Sequence, residues 1–255
     1  MTIRELYAYL NEKIPPSLSC EWDNDGLMCC PDADAPVRRV LVALDITERV
    51  VEKAVADGYD VIVSHHPLIF SPLSKVTPDN AVARKVIRML RAGITAMSFH
   101  TRLDAVTGGV NDTLAGLLGL EEVVAFGNDG EEIGRIGNLP SEMTLADFAM
   151  LVKKVTDADQ VLVTDAGRSV SRVAVLGGSG SSDVIAAMRA GADTYLSGEL
   201  KHNWLTDAPD IGINLVSAGH FHTENPICDV LADMIGAADA SIEVCVVNSN
   251  PVQVI

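Results

Sequence analysis

The stretch RRVLVALDITERVVEKAVADGYDVIVSHHP, Arg38 to Pro67, decides how this chain folds. RRVLVALDI (Arg38 to Ile46) is apolar nearly throughout, the pattern of a strand buried on both faces. Thr47 stands where a helix N-cap belongs, and ERVVEKAVADG follows with helical spacing and a terminal Gly58. YDVIVS (Tyr59 to Ser64) is the next strand. Strand, helix, strand at this spacing is a β-α-β unit with parallel strands. The unit ends in His65 and His66, two of only six histidines in the chain.

Outward from it the rhythm continues. MTIRELYAYLNEKI reads as an amphipathic helix and lacks the apolar run of a signal peptide. NAVARKVIRMLRAG (Asn80 to Gly93) predicts a helix, ITAMSFH (Ile94 to His100) a strand, and VNDTLAGLLGL a further helix. In the second half SRVAVLGGSG is strand then glycine turn, SDVIAAMRAGAD a helix, TYLSG a strand, and INLVSAGH a strand ending in histidine. AVADGYDVIVSHH lies against AMRAGADTYLSGE, and ITAMSFHTRLD against INLVSAGHFHTE. This reads as an internal duplication. The expected fold class is α/β with two similar lobes. Residues 1–127 form the first, joined by a returning C-terminal strand at 241–255, and residues 128–240 form the second.

Composition narrows the function. The chain has 255 residues, 48% of them apolar and 21% charged, as in globular proteins. A net charge of −16, with 19 Lys and Arg thinly spread, excludes the basic face of a nucleic-acid binder. No apolar run approaches a membrane span. Five cysteines without a CxxC pair imply reduced thiols and a cytoplasmic location.

The Gly177-Gly178-Ser179-Gly180 turn could cradle a phosphate, but the acidic partner of a dinucleotide site would fall near Glu199, which the repeat places elsewhere. A tight strand-to-helix turn is the simpler reading. The histidines say more. His65 and His66 follow one predicted strand, His100 with Asp104 a second, and His220 with Glu224 a third. Ligands in open α/β sheets gather at the carboxyl ends of strands. Imidazoles and carboxylates are the usual donors to Zn, Mn, Fe, Co and Ni. A lone histidine at a strand end is more often packed or solvated than a ligand. Here five of six stand in three short segments, two of which place a carboxylate four residues after a histidine. Neighbouring side chains on an extended backbone point opposite ways, so one ion cannot easily take both His65 and His66. Two ions can take one each, with a bridging carboxylate holding them roughly 3.5–4 Å apart.

The segments EWDNDGL (Glu21 to Leu27), VALD (Val42 to Asp45), SHHPLIF (Ser64 to Phe70), HTRLDAVTGGVND (His100 to Asp112), GRIG (Gly134 to Gly137) and GHFHTE (Gly219 to Glu224) occur in that order. With them the chain resembles the NIF-three-like dinuclear metal-centre family, the GTP cyclohydrolase 1 type 2 homologues. The resemblance implies that His65, His66, Asp104, His220 and Glu224 bind two divalent transition metal ions, with Glu224 as bridge. His100 falls beside the metals, as a ligand or as a group that orients one. It also implies two α/β lobes with the metals between them, a homohexameric ring, a small-molecule substrate such as a nucleotide, and hydrolysis by metal-activated water. His100, Glu199 and His222 are the candidate acids or bases. Departures are Ser197 for the usual Thr in SGELKHNW, with Asn203 where a histidine is expected beside His202, and His222 where a small residue is usual. The alternative is a non-catalytic metal-binding scaffold or regulatory ring, with a phosphoesterase as a third reading.

Overall fold

The computed structural model describes residues 1–128 and 130–255. Helix α1 (Ile3–Lys13) begins at a capping box: the Thr2 hydroxyl accepts from the Glu5 amide, and the Glu5 carboxylate accepts from the Thr2 amide. Strand β1 (Gly26–Cys29) follows, then β2 (Arg39–Ala43), α2 (Glu48–Asp57) and β3 (Val61–Ser64). Thr47 caps α2 through the Val50 amide, and Gly58 ends it at φ +69°, a left-handed conformation that favours glycine. Asn80 and Gly93 do the same for α3 (Ala81–Ala92), which leads to β4 (Thr95–Ser98) and the short α4 (Thr101–Ala105). All of β3 and β4 is buried, as the continuous apolar pattern predicts for parallel strands covered on both faces.

The chain then runs through α5 (Val110–Leu117), β5 (Glu121–Asn128), β6 (Glu131–Met143), α6 (Leu145–Val155), β7 (Leu162–Thr164), β8 (Val170–Ser179), α7 (Val184–Arg189), β9 (Thr194–Glu199), α8 (His202–Ile211), β10 (Asn214–Ser217) and α9 (His220–Glu224). The sheet order is β5-β6-β8-β9-β10-β7, with β8, β9 and β10 parallel and the rest antiparallel. Finally α10 (Ile227–Ala238) and β11 (Glu243–Val246) close the chain. β11 pairs in parallel with β2, so the other sheet has the order β1-β4-β3-β2-β11, with β1 antiparallel at its edge.

Two compact units result. One comprises residues 1–106 and 227–251, the other residues 107–226 and 252–255. The sequence places the division at residue 127, and the C-terminal return at 241. In the structure α5 packs on β6 and β8, which assigns it to the second unit, and α10 packs on α1 and β2, which assigns it to the first. The first core lies around Leu41, Ile62, Met89 and Ala96. The second unit has a core on each side of its sheet, around Phe148, Val173 and Leu196 and around Ala174, Tyr195 and Leu215.

Register positions the chemistry. In the first unit Ala43 pairs with Ser64 and Ser64 with Ser98, so β2, β3 and β4 end level. In the second, Leu176 pairs with Ser197 and Ser197 with Ser217. Each sheet therefore delivers three loops to one edge, at the carboxyl ends of its parallel strands.

Candidate functional site

In the first unit that edge carries Asp45 after β2, His65 and His66 after β3, and His100 after β4. The buried Ser64 and Ser98 hydroxyls lie 2.8 Å apart and knit the last residues of β3 and β4. His65 is fully buried, with Nδ1 2.9 Å from the Phe99 carbonyl oxygen. A carbonyl only accepts, so Nδ1 carries the proton and Nε2 presents the lone pair. His66 Nδ1 lies 2.7 Å from Asp45 Oδ1, and His100 Nδ1 lies 2.8 Å from Asp23 Oδ1. A carboxylate has the same effect on a neutral imidazole. All three rings are thus held by Nδ1 with Nε2 as the donor, the arrangement in which metal-ligating histidines are usually held. One ligand nitrogen from each of His65, His66 and His100 falls within 4.8 Å of the others. Asp104, buried on α4, places Oδ1 3.6 Å from His65 Nε2.

The opposed geometry expected for the His65–His66 doublet does not occur. β3 ends at Ser64, so strand alternation stops before the pair, and the two ring centroids lie 4.9 Å apart. Nor does either later histidine end a strand. β4 stops at Ser98 with His100 capping α4, and β10 stops at Ser217 with His220 opening α9.

EWDNDGL supports His100. Asp23 Oδ2 accepts from the Thr101 amide at 3.0 Å and its hydroxyl at 2.6 Å. Burial pushes the Asp23 carboxyl up, but the hydrogen bonds from His100 and Thr101 together outweigh it and hold the group well below the usual carboxylate range. Asp25 Oδ2 accepts from the His100 amide at 3.3 Å and from Arg102 Nε at 2.9 Å. Asp45 is steadied in turn by Ser249, whose hydroxyl accepts from the Asp45 amide at 3.2 Å. Asp23, Asp25 and Asp45 stand in motifs legible in the sequence, yet their roles depend on contacts that spacing does not reveal.

In the second unit α9 presents His220 and Glu224 one turn apart, with His220 Nε2 3.1 Å from Glu224 Oε2. Glu224 is buried, and Glu199 Oε1 lies 3.5 Å from His220 Nδ1. His222 Nε2 lies 3.7 Å from Asp159 Oδ2, and His202 is exposed at the first residue of α8. The sequence reads Gly177 and Gly178 as part of a turn, but the structure keeps both within the last residues of β8, and the glycines near the ends of β8 and β9 acquire a physical reason. Gly178 has φ +65°, and a Cβ there would sit 2.1 Å from Glu224 Oε1 and 3.0 Å from His220 Nε2. At Gly198 it would sit 2.7 Å from the Thr223 hydroxyl and 2.8 Å from His220 Cα. The ends of β8 and β9 form a floor that lets α9 approach the backbone. Thr223 fastens it by accepting from the Gly178 amide at 3.1 Å.

The match to the family model for Duf34/NIF3 (NGG1p interacting factor 3) spans residues 1–252. A Clostridium perfringens protein named GTP cyclohydrolase 1 type 2 homolog is 32% identical over 232 residues, 89% of this chain and 88% of that one. A Schizosaccharomyces pombe protein named NIF3 homolog is 31% identical over 258 residues, 92% of each chain. The crystal structure of a Bacillus cereus protein related to NIF3 superposes with a TM-score of 0.89 at 25% identity, covering 100% of this chain and 99% of that one. With this agreement in sequence and fold along nearly its whole length, the chain belongs to the DUF34/NIF3 family.

Proposed function

We propose that this protein is a metal-dependent hydrolase holding two divalent transition metal ions through His65, His66, Asp104, His220 and Glu224, with Glu224 as the bridge. The observation that carries the reading is the gathering of donors within each unit: ligand nitrogens of His65 and His66 within 4.8 Å beside that of His100, Asp104 Oδ1 3.6 Å from His65 Nε2, and Glu224 Oε2 3.1 Å from His220 Nε2. Zn, Fe, Mn, Co and Ni all suit imidazole with carboxylate. Ions bound there supply Lewis acidity and a water acidified toward neutrality. The chain's own residues do the rest. Asp45 and Asp23 orient His66 and His100, and the Phe99 carbonyl orients His65. His100, Glu199, which lies beside His220, and His222 are the candidate groups to move a proton in this reading.

The name GTP cyclohydrolase 1 type 2 homolog, carried by relatives, supports a nucleotide as substrate. An internal duplication accounts for the two units: helix, edge strand and three parallel strands recur as α1-β1-β2-β3-β4 and α6-β7-β8-β9-β10, with α4 and α9 in equivalent places. The hexameric ring expected of the family belongs to the same proposal.

Metal analysis of the purified protein tests it. About two equivalents of transition metal are expected, falling in His65→Ala and in Glu224→Gln while the circular dichroism spectrum stays unchanged. Less than one equivalent, unaffected by His65→Ala, overturns the site. GTP turnover that disappears in Glu224→Gln supports the hydrolase. Full metal without turnover of any nucleotide or phosphoester replaces it with a scaffold role.

A further inference from the structure

Among the described residues, Trp22 and Phe70 are the only Phe, Trp or Tyr residues more than half exposed, at 57% and 52%. Both therefore leave in water apolar surface whose burial is favourable. They stand together, although 48 positions separate them in the chain (70 − 22). Their ring centroids are 6.3 Å apart with planes at 65°. Each also meets the His100 ring nearly edge-on, Trp22 at 6.2 Å and 80°, Phe70 at 6.1 Å and 86°. The His66 ring lies 5.7 Å from that of His100.

The arrangement is held in place. Asn24 Nδ2 donates to the Ile69 carbonyl, tying the loop that carries Trp22 to the loop that carries Phe70. Asp23, next to Trp22, is fixed by His100 and Thr101. Ring walls held this way need little ordering when a ligand arrives. The sequence neighbours Glu21, Asn24 and Ser71 are exposed and polar. Two rings meeting at 65°, each edge-on to an imidazole, suit a small planar molecule.

We propose that Trp22 and Phe70 form the wall of a subsite that stacks a planar heteroaromatic ring of the substrate beside His100 and His66. A ring bearing polar atoms fits better than a hydrocarbon, because the apolar wall ends at imidazoles. The subsite deepens the metal-centre reading by assigning the residues that recognise the substrate, and it rests on that reading for what happens next to the stacked ring.

The chain has two tryptophans, so Trp204→Phe leaves Trp22 as the sole indole fluorophore. In that background guanosine and adenosine should quench the emission saturably, and ribose should not. Phe70→Ala should weaken nucleoside binding at least about fivefold, the lower end of one lost stacking contact. Calorimetry should show the same loss in Trp22→Ala and its recovery in Trp22→Phe, with metal content and gel-filtration volume unchanged. Absence of saturable quenching in metal-loaded protein overturns the subsite and leaves the metal centre standing. Quenching in protein that binds no metal overturns the metal centre and leaves the subsite standing. A Trp22→Ala variant that elutes at a new volume but binds nucleoside as before overturns the proposal, because the rings would then seat a second copy of the chain.

Discussion

His100 owes its orientation to Asp23, and Asp23 owes its low pKa to His100 and Thr101. A carboxyl whose folded pKa is depressed adds stability above its unfolded value of about 4, and loses it as pH falls toward the folded value. Asp23→Asn should therefore be less stable than the parent at pH 7, with the gap closing as pH falls below about 4. Urea melts across that range measure it, and a gap independent of pH would contradict the assignment. The substitution also puts an amide where His100 Nδ1 has a carboxylate partner, so metal content should fall as well. Gly178 is the other decisive residue. An added Cβ meets Glu224 Oε1 at 2.1 Å on a backbone with φ +65°. Gly178→Ala should displace Glu224, lowering bound metal more than Gly167→Ala, a variant with left-handed φ +72° but nothing within 4 Å of its Cβ. Equal metal in the two variants would mean that Gly178 matters only for its backbone conformation.

Helix α4 is too short to hold its place alone, and a buried ion pair fixes it. Arg102 is 1% exposed and donates to Asp25 at 2.9 Å, to Asn11 Oδ1 at 2.8 Å and to the Ile14 carbonyl at 3.1 Å. The guanidinium also lies over the Phe99 ring at 4.6 Å. Removing one partner of a buried pair strands the other charge, at a cost of about 3–5 kcal/mol. Asp25→Ala should lose that much in chemical denaturation, and Asp25→Ala with Arg102→Met should recover part of it. The cap on α2 is a smaller matter, and Thr47→Ala should cost about 1 kcal/mol. Thr47, Asn80, Gly58 and Gly93 are all legible in the sequence, because caps and stops are local chemistry. The pairing of α4 with EWDNDGL is not, since Asp25 and Arg102 stand 77 positions apart.

The units of 1–106 with 227–251 and of 107–226 with 252–255 show that the chain leaves its first fold and returns to it through α10 and β11. Stability and metal occupancy should be coupled across such a chain, because a ligand that binds only the folded state stabilises it by mass action. Chelation of the purified protein should lower its melting temperature, and re-addition of the native metal should restore it. An unchanged melting temperature after complete metal removal would show that the ions contribute nothing to the fold. Light scattering at the mass of six chains of 27.1 kDa checks the ring.

The sequence by itself determined the β-α-β rhythm, the caps that bound its helices, the histidine and carboxylate segments and the family they resemble. These follow from periodicity, local hydrogen bonding and motif order, which act over a few residues. Only the tertiary structure decided that β2, β3 and β4 end level and bring Asp45, His65, His66 and His100 together. It alone decided that Asp23 and Asp45 choose the proton-bearing nitrogen of two imidazoles, and that Gly178 makes room for Glu224. The physical reason is that strand register and hydrogen bonds between distant segments depend on how the whole chain packs, and no short window of residues contains that information.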